Sequence, residues 1–260
     1  MRSDGDAADV IIVGGGYSGT MVAAELARRG VPSMLVEGSG REGRGTAYST
    51  REDAHLLNVA AGRMGAWADK PGDFAEAVAA EGHGPHDFVP RRRYGEYLGS
   101  ILRHAVDSGM AKVAQSAARS AEATEDGWKI GLADGSRIEG RALVLAQGNQ
   151  APAALPFARN IPDTLFVNDP WSNAGRQAVA HAAAEGGDVL MIGTGLTMVD
   201  LVLSLDEAAH RGRIVALSRR GLAPRAHAAT HEAATIDWAE VPKGSVTGLL
   251  RWLRKATAVH

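Results

Sequence analysis

Along this chain the apolar positions follow two different periods. Val10-Ile11-Ile12-Val13 is a β-branched run with no polar face, which predicts a strand over Asp9–Val13 buried on both sides. Three glycines follow. Met21, Val22, Ala24, Leu26 and Ala27 then recur at helical spacing and predict a helix over Tyr17–Arg29, stopped by Gly30. Val31–Val36 closes the unit as a second strand. From Gly38 to about Lys70 the periodicity is poor, and an irregular segment with short helices is expected. Phe74–Ala80 and Arg93–Val106 are predicted helices. Between Lys112 and Asn149 the short runs at Val113, Trp128–Leu132 and Arg137–Glu139, with Asp134-Gly135 as a hairpin turn, predict a small antiparallel meander. It ends in Ala142–Ala146, read as another doubly buried strand. Pro152, Pro156, Pro162 and Pro170 mark residues 151–174 as a connector. A second strand, glycine turn, helix and strand then follow as Asp188–Ile192, Gly193-Thr194-Gly195, Leu196 to about His210, and Arg213–Leu217. The fold class is therefore α/β, with two Rossmann-like dinucleotide-binding units and the meander between them. Ser245–Ala258 is predicted as an amphipathic helix, with Leu249, Leu250, Trp252 and Leu253 set against Arg251, Arg254 and Lys255.

Composition narrows the chemistry. Lys plus Arg is 28 and Asp plus Glu 30 over 260 residues, a net charge of -2, so no basic field is available for nucleic acid. Cys is 0, which removes disulfide frameworks, thiolate metal sites, Cys nucleophiles and Cys-pair redox centres from this chain. No apolar run is long enough to span a membrane. The start, Met1-Arg2-Ser3-Asp4-Gly5-Asp6, is acidic where a secretory signal is basic, so a soluble cytoplasmic protein is expected.

Gly14-Gly15-Gly16-Tyr17-Ser18-Gly19 satisfies G-x-G-x-x-G directly after a strand and at the head of a helix. The glycines permit the tight turn and the close approach of a pyrophosphate, and the helix N-terminus favours the anion. Glu37 ends the next strand, where a carboxylate accepts from both ribose hydroxyls and repels a 2′-phosphate. The first site should take FAD or NAD, not NADP. A bare βα turn that binds nothing is the bland alternative. A hydrolase elbow, G-x-S-x-G, fails because Thr20 stands where glycine is required.

The second turn, Gly193-Thr194-Gly195-Leu196-Thr197-Met198, keeps the first two glycines but has Met198 at the third position. Its following strand ends in Ser218-Arg219-Arg220 instead of an acid. Two guanidiniums and a hydroxyl suit a 2′-phosphate, which predicts NADPH; a solvated basic corner is the alternative. An acid at one ribose edge and arginines at the other suggest electron flow from NADPH to a flavin.

On these stretches the chain resembles the bacterial FAD/NAD(P)-binding proteins related to the flavin-dependent monooxygenases, the N-hydroxylating and Baeyer–Villiger types included. The resemblance is carried by Val13–Thr20, Gly45–Tyr48, Leu56–Val59 with Gly62–Met64, and Phe88–Arg91 leading to Tyr94–Leu98. It continues through Leu145–Asn149, Asp169–Trp171, Gly193–Asp200, and Leu217–Leu222 with Pro224–His227. It implies FAD pyrophosphate on Gly14–Gly19, its ribose on Glu37, and Asn58, Arg63 and Met64 towards the flavin ring. Gly148 is then the close-approach glycine where the chain leaves the flavin domain. Asn58 is the candidate to bond the ring or oxygenated flavin, with the capping of a turn as its other role; Tyr48 and Trp67 either pack near that pocket or are plain core. No catalytic acid or base is assigned.

The resemblance further implies an FAD-binding domain over residues 1–150, an NAD(P)-binding unit over 151–235 and a C-terminal helical segment over 236–260. Members of the family continue beyond the position of His260 and return to complete the flavin domain. The apolar stripe of the last helix is therefore expected to lie under a second copy or a partner chain, or else to mark a short form with impaired flavin binding. The expected activity is that of an FAD-dependent oxidoreductase in which NADPH reduces FAD, monooxygenase-like and acting on a small-molecule substrate. A non-catalytic nucleotide-binding subunit and a simple NADPH-dependent flavin reductase are the alternatives. A disulfide reductase of the same architecture, working through a cysteine pair, is excluded by the absence of Cys. The loop His83-Gly84-Pro85-His86 lacks the geometry of a metal site, His227 and His231 are expected at the surface, and Arg91-Arg92-Arg93 is expected to be solvated or to flank a substrate entrance.

Overall fold

The computed structural model describes residues 7–227, 237 and 239–257. His231 lies outside them. The chain divides into two compact units, Met1–Leu222 and Ala223–His260.

In the larger unit, β1 (Ala7–Val13), α1 (Tyr17–Arg28) and β2 (Ser33–Val36) form the first unit as expected. Its helices α2 (Asp73–Ala79) and α3 (Arg91–Asp107) precede β3 (Ala111–Ala114). Three further strands, β4 (Ala118–Thr124), β5 (Gly127–Leu132) and β6 (Arg137–Leu145), complete a six-stranded sheet of order β3-β2-β1-β6-β5-β4. β1 is central and pairs parallel with both β2 and β6, with Ile11 opposite Met34 on one side and Leu143 on the other. The side chains of β1 alternate between two cores. Ile11 and Val13 pack with Met34, Val36 and Ile130, while Ile12 packs with Ala23, Leu35 and Leu102. That two-sided burial is why β1 carries no polar face. A third core under α1, α2 and α3 gathers Phe74, Tyr94, Leu98 and Val89.

Three expectations change here. β3, which carries Val113, is a parallel strand beside β2 and not part of the meander. The meander is itself β4, β5 and β6 of the same sheet, because β6 pairs antiparallel with β5 and parallel with β1 along overlapping residues; Gly140 faces Trp128 on one side and Ala8 on the other. Ala142–Ala146 is not buried on both faces, since Leu145 is 62% exposed.

After the connector comes α4 (Asn173–Glu185), then β7 (Val189–Ile192), α5 (Leu196–Glu207) and β8 (Ile214–Leu217). β7 and β8 pair parallel as a separate two-stranded sheet, Val189 opposite Ile214. The smaller unit holds α6 (Val246–Thr257), whose start is capped by Ser245 Oγ accepting from the Gly248 N–H at 3.1 Å. Among the described residues no helix is long and apolar enough to cross a membrane.

Candidate functional site

Both glycine turns sit at the carboxyl ends of parallel strands, where open α/β sheets place ligands. In the first, Gly14 has φ +106°, a conformation that a side chain resists, and a Cβ there would run into the Ala146 carbonyl. A Cβ on Gly19 would overlap the Gly14 carbonyl, so this glycine lets α1 lie against β1. Gly16 caps α1 with no side-chain hydrogen bond, and no acid stands in the first turn, which includes Tyr17, Ser18 and Gly19. The helix start thus offers N–H groups and a partial positive charge to an anion. Glu37 is held against this turn: its Oε2 accepts from the Gly15 N–H at 2.9 Å and its Oε1 from the Ser39 N–H at 2.6 Å. Burial pushes its carboxyl up, but the hydrogen bonds from Ser39 and Gly15 and the nearby Arg41 outweigh that and hold it below the usual range. The group is an ionised acceptor in a fixed position, as a ribose requires.

The second turn repeats the backbone of the first. Gly193 has φ +114° and its N–H donates to the Leu217 carbonyl at 2.7 Å, tying β7 to the end of β8. Gly195 caps α5, again without a side-chain bond or a first-turn acid, and a Cβ on it would meet only open space. Leu196 and Thr197 are exposed beside it, and the Thr194 hydroxyl donates to the Leu222 carbonyl. Arg219 and Arg220 are exposed in the turn after β8 and form no ion pair with a described residue. Next to them the Ser218 Oγ is buried without a hydrogen-bond partner among the described residues. A buried hydroxyl beside two guanidiniums, none of them engaged by a described residue, fits the ribose edge of a phosphorylated nucleotide.

Residues 11–150, more than half of the chain, match the family described as FAD-NAD(P)-binding. The chain belongs to the FAD-NAD(P)-binding family. The match spans β1 to β6 and so includes the first turn, Glu37 and Gly148. No curated protein sequence matches this family member. Among solved structures it is similar to a cyclohexanone monooxygenase mutant from Rhodococcus sp. Phi1 bound to NADP+, with a TM-score of 0.58 and 18% identity over 82% of this chain and 39% of that one. It is also similar to OTEMO in complex with FAD and NADP, with a TM-score of 0.57, 18% identity and the same two coverages. The bacillithiol disulfide reductase Bdr from Staphylococcus aureus matches with a TM-score of 0.55 and 16% identity over 97% of this chain and 64% of that one. At these identities the likeness is one of fold, and the chain spans about two fifths of the length of the monooxygenases.

The remaining residues of the family member's candidate site lie apart from the turns in sequence. Gly148, φ +70°, follows β6 and is exposed, at the same end of the sheet as Gly14. Asn58 is exposed and its side chain bonds no described residue, so it caps nothing. Arg63 ends a 3-10 turn over Ala61–Arg63 and is exposed, whereas Met64 packs against the Phe74 and Tyr94 core. Tyr48 joins that core edge-on to Tyr94 at 4.7 Å, and Trp67 packs on it under the Arg28 guanidinium, 4.5 Å from the ring centre.

One cluster has no counterpart in the sequence reading. His55, 2% exposed, places Nε2 3.1 Å from the Asp200 carbonyl, 3.0 Å from Ser204 Oγ and 3.1 Å from Glu52, while Nδ1 is 2.7 Å from Thr50 Oγ1. The acceptors around Nε2 place a proton on that nitrogen. Ser204 donates to Glu52, and Arg91 pairs with the buried Asp200 carboxylate while lying 5.8 Å from the Trp171 ring centre. The network ties α5, the helix of the second glycine turn, to residues 50–56. Arg91, Arg92 and Arg93 are half-buried and ion-paired: Arg92 pairs with Asp53 and Glu96, and Arg93 with Glu81 and Glu96. His55 could have been suspected only as a histidine in an otherwise irregular stretch. Asp200 follows the second turn but gives no local sign of its distant partner.

Proposed function

We propose that this chain is the nucleotide-binding part of an FAD-dependent oxidoreductase that takes electrons from NADPH and acts, monooxygenase-like, on a small molecule. The observation that carries the reading is the contrast between the two ribose edges. Glu37 is an ionised acceptor fixed by Gly15 and Ser39 at the first, whereas Ser218 Oγ without a partner and two unpaired guanidiniums stand at the second. When bound, FAD supplies two-electron transfer and oxygen activation, chemistry that no side chain here provides. The chain's own work is to bind and orient. The Gly14–Gly19 turn and the N–H groups of α1 receive the pyrophosphate, and Glu37 receives the ribose hydroxyls. Gly193–Thr197 receive the second pyrophosphate, and Arg219 and Arg220 fork onto the 2′-phosphate. Asn58, exposed and unengaged, is available to bond the flavin ring, with Arg63 nearby in sequence and Gly148 beside the first turn. A second copy or a partner chain over the apolar stripe of α6 belongs to the same reading, supported by Val246 and Leu250, 76% and 50% exposed.

Anaerobic addition of NADPH to the FAD-reconstituted protein is expected to bleach the flavin absorbance, with substrate-stimulated oxygen uptake on return to air. A protein that gains no flavin on reconstitution refutes the reading, and one that holds FAD without bleaching is a nucleotide-binding subunit instead. Arg219→Ala is expected to weaken NADPH by roughly tenfold or more and to leave NADH nearly unchanged. Equal losses for both nucleotides would remove the phosphate assignment.

A further inference from the structure

β4 stands at one end of the six-stranded sheet, and no described residue pairs with its outer edge. Arg119 to Thr124 are all exposed along it. The inner edge fixes which backbone groups face outward. The two-residue turn Glu125-Asp126 joins Thr124 to Gly127 as a hydrogen-bonded pair, and bonded and non-bonded pairs then alternate along the hairpin. Glu122, opposite Lys129, is therefore bonded inward, while Ala121 and Ala123 turn their N–H and C=O groups to the open side. Such an edge accepts a further strand, and natural sheets guard it with proline or with charge, lysine above all. β4 has neither proline nor lysine. Its two charges, Arg119 and Glu122, are of opposite sign, and neither forms an ion pair with a described residue. Charge guards an edge against its own copy only where like signs meet.

We propose that β4 is a self-pairing edge, through which two copies of this chain join antiparallel along Ala118–Thr124 about a two-fold axis at Ala121, making their six-stranded sheets continuous. The outward residues set the choice of axis, since only they can bond across it: it passes through Ala121, Glu122 or Ala123. An axis at Glu122 sets that carboxylate against its own copy, which is repulsive. An axis at Ala123 overlaps only part of the strand and brings Glu122 beside Asp126 of the second copy, again acid on acid. The axis at Ala121 overlaps the whole strand and sets Glu122 opposite Ser120 of the second copy, whose hydroxyl donates to it. The register of β4 on β5 shifts between Ala118 and Ser120, so Arg119 shares one place in the ladder with Ser120 and stands beside the incoming Glu122. The axis repeats this arrangement, giving two Arg119–Glu122 pairs. A seven-residue strand pair buries less than the roughly 800 Å² per partner of a standard interface, so the dimer is expected to be weak, with a dissociation constant of roughly 10–1,000 μM.

Sedimentation equilibrium of the whole chain across that concentration range is expected to show a monomer and a dimer, with the dimer favoured at low ionic strength. Hydrogen exchange should slow at the Ala121 and Ala123 amides as the concentration rises, while the Glu122 amide, bonded to β5 in either state, exchanges at an unchanged rate. Glu122→Arg gives both copies an edge of one sign and is expected to weaken the dimer roughly tenfold or more. Combining it with Arg119→Glu exchanges the two charges and should restore the wild-type constant within roughly threefold. Both positions are exposed, and thermal melts verify that the fold is kept; Ala121→Pro, which removes an outward N–H and no ladder bond, is a second block should Glu122→Arg not fold. The proposal is overturned by a monomer at every concentration, by a dimer unchanged in Glu122→Arg, by failure of the exchanged pair to restore it, or by a dimer that persists in the edge variants and is lost in Leu250→Ser, which would place the contact on α6. None of these measurements needs flavin or NADPH, so the nucleotide reading and this one fail separately.

Discussion

Glu37 and Gly19 illustrate two ways in which one residue supports the first turn. Glu37 acts through charge. Its folded carboxyl titrates below the usual carboxylate range, so the stabilisation it gives is fully present above the unfolded-state value and is lost as the pH falls through the lowered folded one. Glu37→Gln is therefore expected to lower stability at neutral pH, and the gap to the wild type in urea titrations should close on acidification. A gap that widened towards low pH would reverse the sign assigned here. Gly19 acts through absence. Gly19→Ala puts a methyl group into the Gly14 carbonyl and is expected to cost about 1–3 kcal/mol, read from the same titrations. Both residues were legible in the sequence, because the spacing from strand to turn to acid encodes their contact locally. His55 and Asp200 were not: they are 145 positions apart, and neither lies at a place where a motif assigns it a partner.

Among the elements, those with an apolar period were legible and those without one were not. β1 and α1 declare themselves through Ile11, Ile12, Ala23 and Ala24. β4, Ala-Arg-Ser-Ala-Glu-Ala-Thr, is an exposed edge strand held by its ladder to β5, so no hydrophobic alternation marks it. α4 is rich in alanine and lacks a large apolar stripe. Its signals were the brackets: Ser172 accepts from the Gly175 N–H at 3.1 Å at the start, and Gly186 takes φ +68° at the end. Ion pairs between elements differ in the same way as the elements themselves. Asp200 is 5% exposed, so Arg91→Ala leaves a buried carboxylate unpaired and is expected to cost about 3 kcal/mol. Arg92→Ala releases Asp53 into water and should cost much less. Thermal melts of the two variants, with the larger drop for Arg91→Ala, check the ranking.

For the larger unit taken whole, the two sheets are finished to different degrees. The six-stranded sheet is covered by packed cores, whereas the β7 and β8 pair leaves Leu190 and Leu217 62% and 58% exposed, with Ile192 also in water. An apolar face of that kind binds hydrophobic dyes. Anilinonaphthalene sulfonate is expected to fluoresce with the folded protein, and Leu190→Ser with Leu217→Ser should reduce the signal without lowering the melting temperature. Such a face was not legible, because in sequence β7 and β8 carry the same apolar run as β1 and nothing local says which run will be covered.

The pairing of β6 with β1 also sets a timetable. A ribosome releases Ala7–Val13 long before Arg137–Leu145 exists, and β1 must wait with one edge of open N–H and C=O groups until its neighbour on that side has been synthesised. Until β6 has been made this protein is therefore a sheet with its central seam unclosed. Its vulnerability to misassociation should fall abruptly as the last residues of β6 leave the exit tunnel.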